Sequence, residues 1–214
     1  MHDVTALIVA GGLGTRLHEL TAGAIPKGLV TVAGVPIIHR QMRHLARYGI
    51  SRLVVMAGHL AQELEAGVMP EALRLGLDTR FVVEDRPMGT AGNLSAAARY
   101  LKGGELLVLY GDMAVGVDLP RLLNFHRGQS GLVTIACHPN DHPETSDLIA
   151  TRSDHRVTDI LSKKAPRTTP LRNLVPAALF VLSPEVLGHV RVDAPQDFMR
   201  DVFPGLLAKS LPIM

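Results

Sequence analysis

Three side chains in this sequence are placed where they could act on a polyphosphate: Arg16, Lys27 and Asp112. Arg16 closes the run Leu7-Ile-Val-Ala-Gly-Gly-Leu-Gly-Thr-Arg16. Apolar residues there lead directly into a turn containing Gly11, Gly12 and Gly14. Such a turn lets backbone N–H groups approach phosphate oxygens closely, and the Arg fork adds planar donors suited to bidentate phosphate contact. Lys27 follows Pro26 and can supply a second, point-like positive charge. Asp112 ends the run Leu107-Val-Leu-Tyr-Gly-Asp112, where a carboxylate can hold Mg²⁺, a hard cation that prefers oxygen ligands. The simpler alternatives are an ordinary strand-to-helix turn with an exposed Arg, and a turn-forming or helix-capping Asp.

These residues need a scaffold that brings strand ends together. Apolar runs at residues 4–10, 52–57, 79–84, 105–109 and 132–138 read as strands. Helical patterns lie between them, at 36–48, 60–68, 90–101 and 119–127. Ile37, Ile38, Met42, Leu45 and Ala46 form the apolar stripe of the first, and Gly49 is its C-cap. Repeated βα units predict an α/β fold: a Rossmann-like, mostly parallel sheet with helices on both faces. Ligands of such sheets sit beyond the carboxyl ends of the strands, which is where the Gly-rich turn, the segment Glu84–Gly92 and Asp112 converge.

After residue 138 the pattern changes. A hairpin is expected over 147–152 and 156–160, a strand over 174–182, a short helix from Ser183-Pro184, and a last helix over 195–203 stopped by Pro204-Gly205. This mixed part should close one side of a pocket. No flexible linker separates it, so residues 1–214 read as one domain whose character changes between a first part, 1–138, and a second, 139–214.

Composition excludes several classes. The 214 residues carry 22 basic and 20 acidic side chains, too balanced for a nucleic-acid surface. No apolar run approaches the roughly 18 residues of a membrane helix, and no secretory leader opens the chain, so a cytoplasmic setting is expected. Cys137 is alone, on a predicted strand, and reads as a buried structural thiol. Two better-known phosphate loops are absent. Gly12-Leu-Gly14-Thr-Arg-Leu17 lacks the last glycine of a dinucleotide fingerprint, and Pro26-Lys27-Gly28 breaks the Walker pattern.

Taken together, Ala10-Gly-Gly-Leu-Gly-Thr-Arg-Leu17, Pro26-Lys27, Val32-Ala-Gly-Val-Pro-Ile37, Gly89-Thr-Ala-Gly92 and Gly111-Asp112 resemble the sugar-1-phosphate nucleotidyltransferases over nearly the whole chain. The resemblance implies the nucleotide-diphospho-sugar transferase fold. It also implies that a sugar 1-phosphate attacks the α-phosphorus of a nucleoside triphosphate, giving an NDP-sugar and pyrophosphate. By carry-over, Arg16 stabilises the β- and γ-phosphates, Lys27 bridges the α-phosphate and the attacking phosphate, and Asp112 binds Mg²⁺. Ala10, Gly11, Gly12, Gly14, Thr15, Gly89, Thr90 and Gly92 surround the nucleotide. Glu84 ends its strand where pyrimidine-using relatives place a base-reading glutamine. A carboxylate only accepts hydrogen bonds, which favours guanine, with its adjacent N1–H and N2–H, over adenine. Pairing of Glu84 with a nearby Arg is the alternative.

The segment His138-Pro-Asn-Asp-His-Pro143, with Ser146-Asp-Leu, looks like the branch acting on heptose 1-phosphates, some members of which are fused to a phosphatase domain. A homo-oligomer or a partner phosphatase is therefore allowed for. Asp147, Lys164 and Asn173 are the sugar-side candidates. A metal site at His138, Asp141 and His142 is disfavoured by Pro139 and Pro143, which prevent the helix that would pair the two His. Several motifs depart from the family. Gly28 replaces a proline, Lys163 a sugar-binding glutamate, and Pro176-Ala-Ala an Asn-x-Gly. The second metal-binding aspartate, expected in a later segment, is missing, and Asp193 and Asp197 are poor substitutes. ATP use, a mannose 1-phosphate substrate and an inactive NDP-sugar-binding regulator remain the alternatives to a heptose guanylyltransferase.

Overall fold

The computed structural model describes residues 3–12, 25–164 and 172–214. Along the chain run β1 (Thr5–Val9), the short pair β2 (Thr31–Val32) and β3 (Val35–Pro36), α1 (Ile37–Arg47), β4 (Arg52–Ala57), α2 (Ala61–Leu75) and β5 (Asp78–Val83). Then come α3 (Leu94–Ala97), β6 (Leu106–Tyr110), α4 (Leu119–Gly128), β7 (Val133–His138), the hairpin β8 (Leu148–Thr151) and β9 (Val157–Leu161), β10 (Val175–Leu182), and α5 (Phe203–Ala208). Among the described residues no helix is long and apolar enough to cross a membrane.

The central sheet has the order β5-β4-β1-β6-β10-β7. β1 lies parallel between β4 and β6, with Leu7 opposite Val54 on one side and Val108 on the other. Its residues divide between two cores. Leu7 faces one that includes Phe180, Phe198 and Phe203; Ala6 and Ile8 face another that includes Ile38, Leu64 and Leu123. A strand apolar on both faces needs cover on both, and α1, α2 and α4 supply one layer while α3 and the C-terminal segments supply the other. The expected α/β architecture is therefore present.

Some expectations are corrected. The helix predicted over 60–68 continues to Leu75 through Pro70. Leu64, Val68 and Ala72 keep its apolar face buried, and Arg43 and Arg74 both bond the buried Glu71. That packing outweighs the one helical N–H lost at proline. The helix predicted over 90–101 begins only at Leu94 and passes into a 3-10 turn at Ala98. Residues 88–91 are instead bound to the chain's later part, with Ala91 N–H donating to Gln196 O and Gln196 N–H to Met88 O. The last helix opens with a π turn, Phe198–Val202, capped by Asp197. Pro204 does not end it but lies in the first turn of α5, where a missing N–H is tolerated. The helix after Ser183 is a 3-10 segment, Pro184–His189.

β10 is the strand predicted over 174–182, and its position reshapes the sheet. It runs antiparallel to both β6 and β7 and separates them. Its register shifts between Pro176 and Phe180, and Ala178 there adopts the left-handed backbone at φ 52°.

Candidate active site at the carboxyl edge of the sheet

β1, β4, β5 and β6 end side by side, and the chain leaving them forms two adjoining hollows. One, of about 210 Å³, is lined by Ala10, Gly12, Lys27, Thr90, Tyr110 and Asp112, among others. The second, of about 250 Å³, is lined by Gly11, Gly58, His59, Glu84, Asp85 and Arg86 with Pro87. Backbone crowding explains the glycines between them. A Cβ on Gly58 would lie 2.7 Å from Gly11 O, and one on Gly11 would lie 3.0 Å from the Glu84 carboxyl carbon. Ala10 N–H is already used, donating to Met56 O at 2.8 Å.

Lys27 starts a 3-10 turn, Lys27–Leu29, which rests on α2 through Leu29. A Cβ on Gly67 would stand 2.7 Å from Leu29 Cδ1, so a larger residue there would make the Leu29 side chain move. The turn aims Lys27 Nζ at Asp112 Oδ2, 3.5 Å away, with 23% and 39% of the two side chains exposed. Cation and carboxylate thus face a common space while staying reachable by a ligand. Lys27 and Asp112, two of the residues singled out in the sequence, are brought together.

Thr90 lines the same hollow from the Gly89–Gly92 turn. Its hydroxyl donates to Asp197 Oδ2 at 2.8 Å and accepts from Phe198 N–H at 3.0 Å. Asp197 also accepts from the N–H groups of Met199 and Arg200, so its carboxylate is occupied as a helix cap. A Cβ on Gly89 would meet Gln196 O at 2.3 Å, and one on Gly92 would meet Met88 O at 2.1 Å. These glycines thus serve the docking of residues 194–197, a contact that sequence spacing alone does not reveal. Burial raises the Tyr110 phenol well above its ordinary value. Burial also pushes the Glu84 carboxyl up, partly offset by the Met88 N–H at 3.3 Å. The Cys137 thiol is pushed up to about 11 by burial alone, the environment of a structural cysteine.

The sugar-side candidates fall elsewhere. Asp147 accepts from Lys163 N–H at 2.8 Å and pins the β8–β9 hairpin. Asn173 and Asn140 clasp each other, Asn173 Oδ1 accepting at 3.2 Å and its amide donating to Asn140 O at 2.6 Å. Lys164 is exposed. None of the three lines either hollow. Gly14, Thr15 and Arg16 lie outside the described residues. Among the described residues no group of three His, Cys, Asp or Glu is arranged to hold a metal. His138, for its part, turns Nδ1 to its neighbour Pro139 O at 2.8 Å. Among the described residues that line the first hollow, Asp112 supplies the one carboxylate, which fits a cation completed by ligand phosphates and water.

A larger hollow, of about 680 Å³, opens at the opposite edge of the sheet beside Asp3, Glu105, His126 and Arg127. Its main polar groups are already paired. Arg127 grips Glu105 at 2.6 and 2.8 Å, and His126 sits between Thr134 and Ser183.

Comparison with known proteins places the chain among its relatives. The mannose-1-phosphate guanylyltransferase of Mycobacterium tuberculosis is 31% identical over 207 residues, covering 97% of this chain and 56% of that protein. The catalytic subunit beta of mannose-1-phosphate guanylyltransferase from Drosophila pseudoobscura is 29% identical over 203 residues, covering 94% and 53%. The chain spans about half the length of the curated relatives it matches. The fold is shared with the crystal structure of HddC from Yersinia pseudotuberculosis complexed with GMP-PN, at a TM-score of 0.77 and 24% identity, covering 95% of this chain and 86% of that one. The nucleotidyl transferase family pattern extends from residue 5 to residue 213, taking in both halves of the site, and the chain belongs to that family.

Proposed function

We propose that this chain forms the catalytic part of a guanylyltransferase that acts on a manno-configured sugar 1-phosphate. An oxygen of the sugar phosphate attacks the α-phosphorus of GTP, the bond to the bridging oxygen breaks, pyrophosphate leaves, and a GDP-sugar forms. No covalent bond to the protein is needed, so the work of the site is positioning and charge neutralisation. The observation that carries the reading is the Lys27–Asp112 pair, 3.5 Å apart beside the glycine turn. Lys27 can exchange its carboxylate partner for the phosphate oxygens of the two substrates and draw them together. Asp112 is the residue that would hold Mg²⁺, which supplies positive charge to the phosphate oxygens when bound. Arg16 is assigned to the departing pyrophosphate.

Glu84 is assigned to the base. Its carboxylate stands over Gly11 in the second hollow, and as an acceptor it suits guanine N1–H and N2–H. The guanylyltransferase relatives support that choice of base. They also make mannose 1-phosphate the first sugar to test. Heptose 1-phosphate, which shares the manno ring and adds a carbon, is the second, on the resemblance at residues 138–148. The reaction belongs in the cytoplasm, where GTP is made.

A pyrophosphate-release assay across NTPs and sugar 1-phosphates tests this. GTP with mannose 1-phosphate should give the strongest signal. Faster turnover of the heptose phosphate would move the sugar assignment, and equal use of ATP would remove the role given to Glu84. Binding of GDP-sugar without release from any pair would show a regulatory binding protein instead.

A further inference from the structure

The turn that carries Asp112 is gripped by a helix with no assigned part in the reaction. Gln41, in α1, is fully buried. Its amide nitrogen donates to Tyr110 O at 2.8 Å and to Met113 O at 2.6 Å. Both partners are carbonyl oxygens, which only accept, so the surroundings dictate which way the amide faces. These carbonyls flank Gly111 and Asp112 in the chain, and Met113 N–H donates to Tyr110 O at 3.2 Å to close the same turn. One helical turn further on, His44 Nε2 lies 2.8 Å from Val117 O and ties down the rest of that loop. The same helix also supports the other charge: the Ile38 side chain lies 3.4 Å from where a Cβ on Gly28 would be, next to Lys27. α1 is thus a common platform for Lys27 and Asp112.

One atom of this arrangement is out of place for a purely structural amide. Gln41 Oε1 is buried and has no hydrogen-bond partner among the described residues. A buried acceptor without a donor lowers stability and so offsets part of what the two N–H donors contribute to the fold. We propose that Gln41 is a positioning residue: its amide is dispensable for folding, and it holds the Tyr110–Met113 turn so that the Asp112 carboxylate keeps its place opposite Lys27. This rests on the guanylyltransferase reading for its kinetic consequence, but the geometric claim can be read without turnover.

The test is Gln41→Met, which keeps length and removes both donors and the orphaned oxygen. The variant should fold, with a Tm within about 3 °C of wild type. Its kcat should fall about tenfold or more, with the KM for GTP within about threefold, because a displaced carboxylate disturbs the reacting geometry more than ground-state binding. Mn²⁺ affinity of the nucleotide-free protein, followed by the electron paramagnetic resonance signal of free Mn²⁺, should weaken about tenfold. Wild-type kcat and Mn²⁺ affinity in Gln41→Met would overturn the proposal. So would a variant that does not fold, since the amide would then be structural. If wild-type protein releases no pyrophosphate from any substrate pair, the guanylyltransferase reading fails, and the Mn²⁺ comparison still decides the role of Gln41.

Discussion

At the carboxyl edge of the sheet, Lys27 and Asp112 stand 3.5 Å apart and both remain partly open to solvent. At the amino edge, Arg127 holds Glu105 with two hydrogen bonds, and His126 is buried between two hydroxyls, where burial lowers its pKa and favours the neutral ring. The amino-edge hollow is the larger, about 680 against 210 Å³. Size therefore misleads here. What separates the two edges is whether charged groups have spent their hydrogen-bonding capacity on one another or keep it for a ligand. Strands of one sheet supply both edges, so the difference comes from the turns. Glycines at 11 and 58 press backbone against backbone at the carboxyl edge, and Lys27 meets Asp112 there at 3.5 Å rather than through the short two-bond grip of Arg127 on Glu105.

Changes at the two edges should consequently separate activity from stability. Lys27→Ala should have the largest effect, lowering kcat by about 100-fold or more while Tm moves little, as pyrophosphate release and thermal melting would show. Undiminished kcat/KM would remove Lys27 from the reaction. Glu84→Gln should cut the preference for GTP over ATP by about tenfold, read from the ratio of their kcat/KM values. It also carries a pH signature. Burial raises the Glu84 carboxyl, so its proton is released at a higher pH than in an open chain. Binding through the ionised form then weakens as pH falls towards that raised value, and this acid limb in the KM for GTP should vanish in the variant. The sign for stability is opposite: wild type is relatively destabilised as pH rises through the same value, so Glu84→Gln should melt slightly higher at alkaline pH. The smallest effect belongs to the amino edge. Arg127→Met should leave kcat unchanged and lower Tm by about 2 to 4 °C at neutral pH. The hydrogen bond from Arg127 keeps the Glu105 carboxyl below its ordinary 4.5, so the pair stabilises the fold above that value and the gap between variant and wild type should close as pH falls through Glu105's lowered value.

How much of this was readable in advance depends on how local each cause is. The strand over residues 52–57 is found where its apolar run puts it, because every residue of β4 reports its own burial. Lys27 and Asp112 drew notice in the sequence through local signatures, Pro26-Lys27 and Gly111-Asp112, whereas their 3.5 Å approach depends on the fold. Helix 90–101 was misread. Its apolar spacing is real, but residues 88–91 answer to Gln196, more than a hundred positions away, and that contact leaves no periodic trace. Asp147 and Asn173 have the right chemistry for sugar hydroxyls, yet the β8–β9 hairpin and the Asn140 loop occupy them. Gln41 was invisible for a different reason. A polar residue on an apolar helical stripe states that it needs partners, not which carbonyls they are. Ala178 was noted only as a departure from a motif. Its left-handed backbone at the β10 bulge shows that the chain keeps the turn even without a glycine.

The placement of β10 has a consequence for how the chain comes into being. Leaving a ribosome, residues 1–138 would carry β6 and β7 with nothing between them, because the strand that joins them is translated only at residues 175–182. Neither neighbour can pair with the other without later being prised apart. The nascent sheet must wait, incomplete, for its last-made central strand, and a fragment cut at the midpoint inherits a gap rather than a boundary.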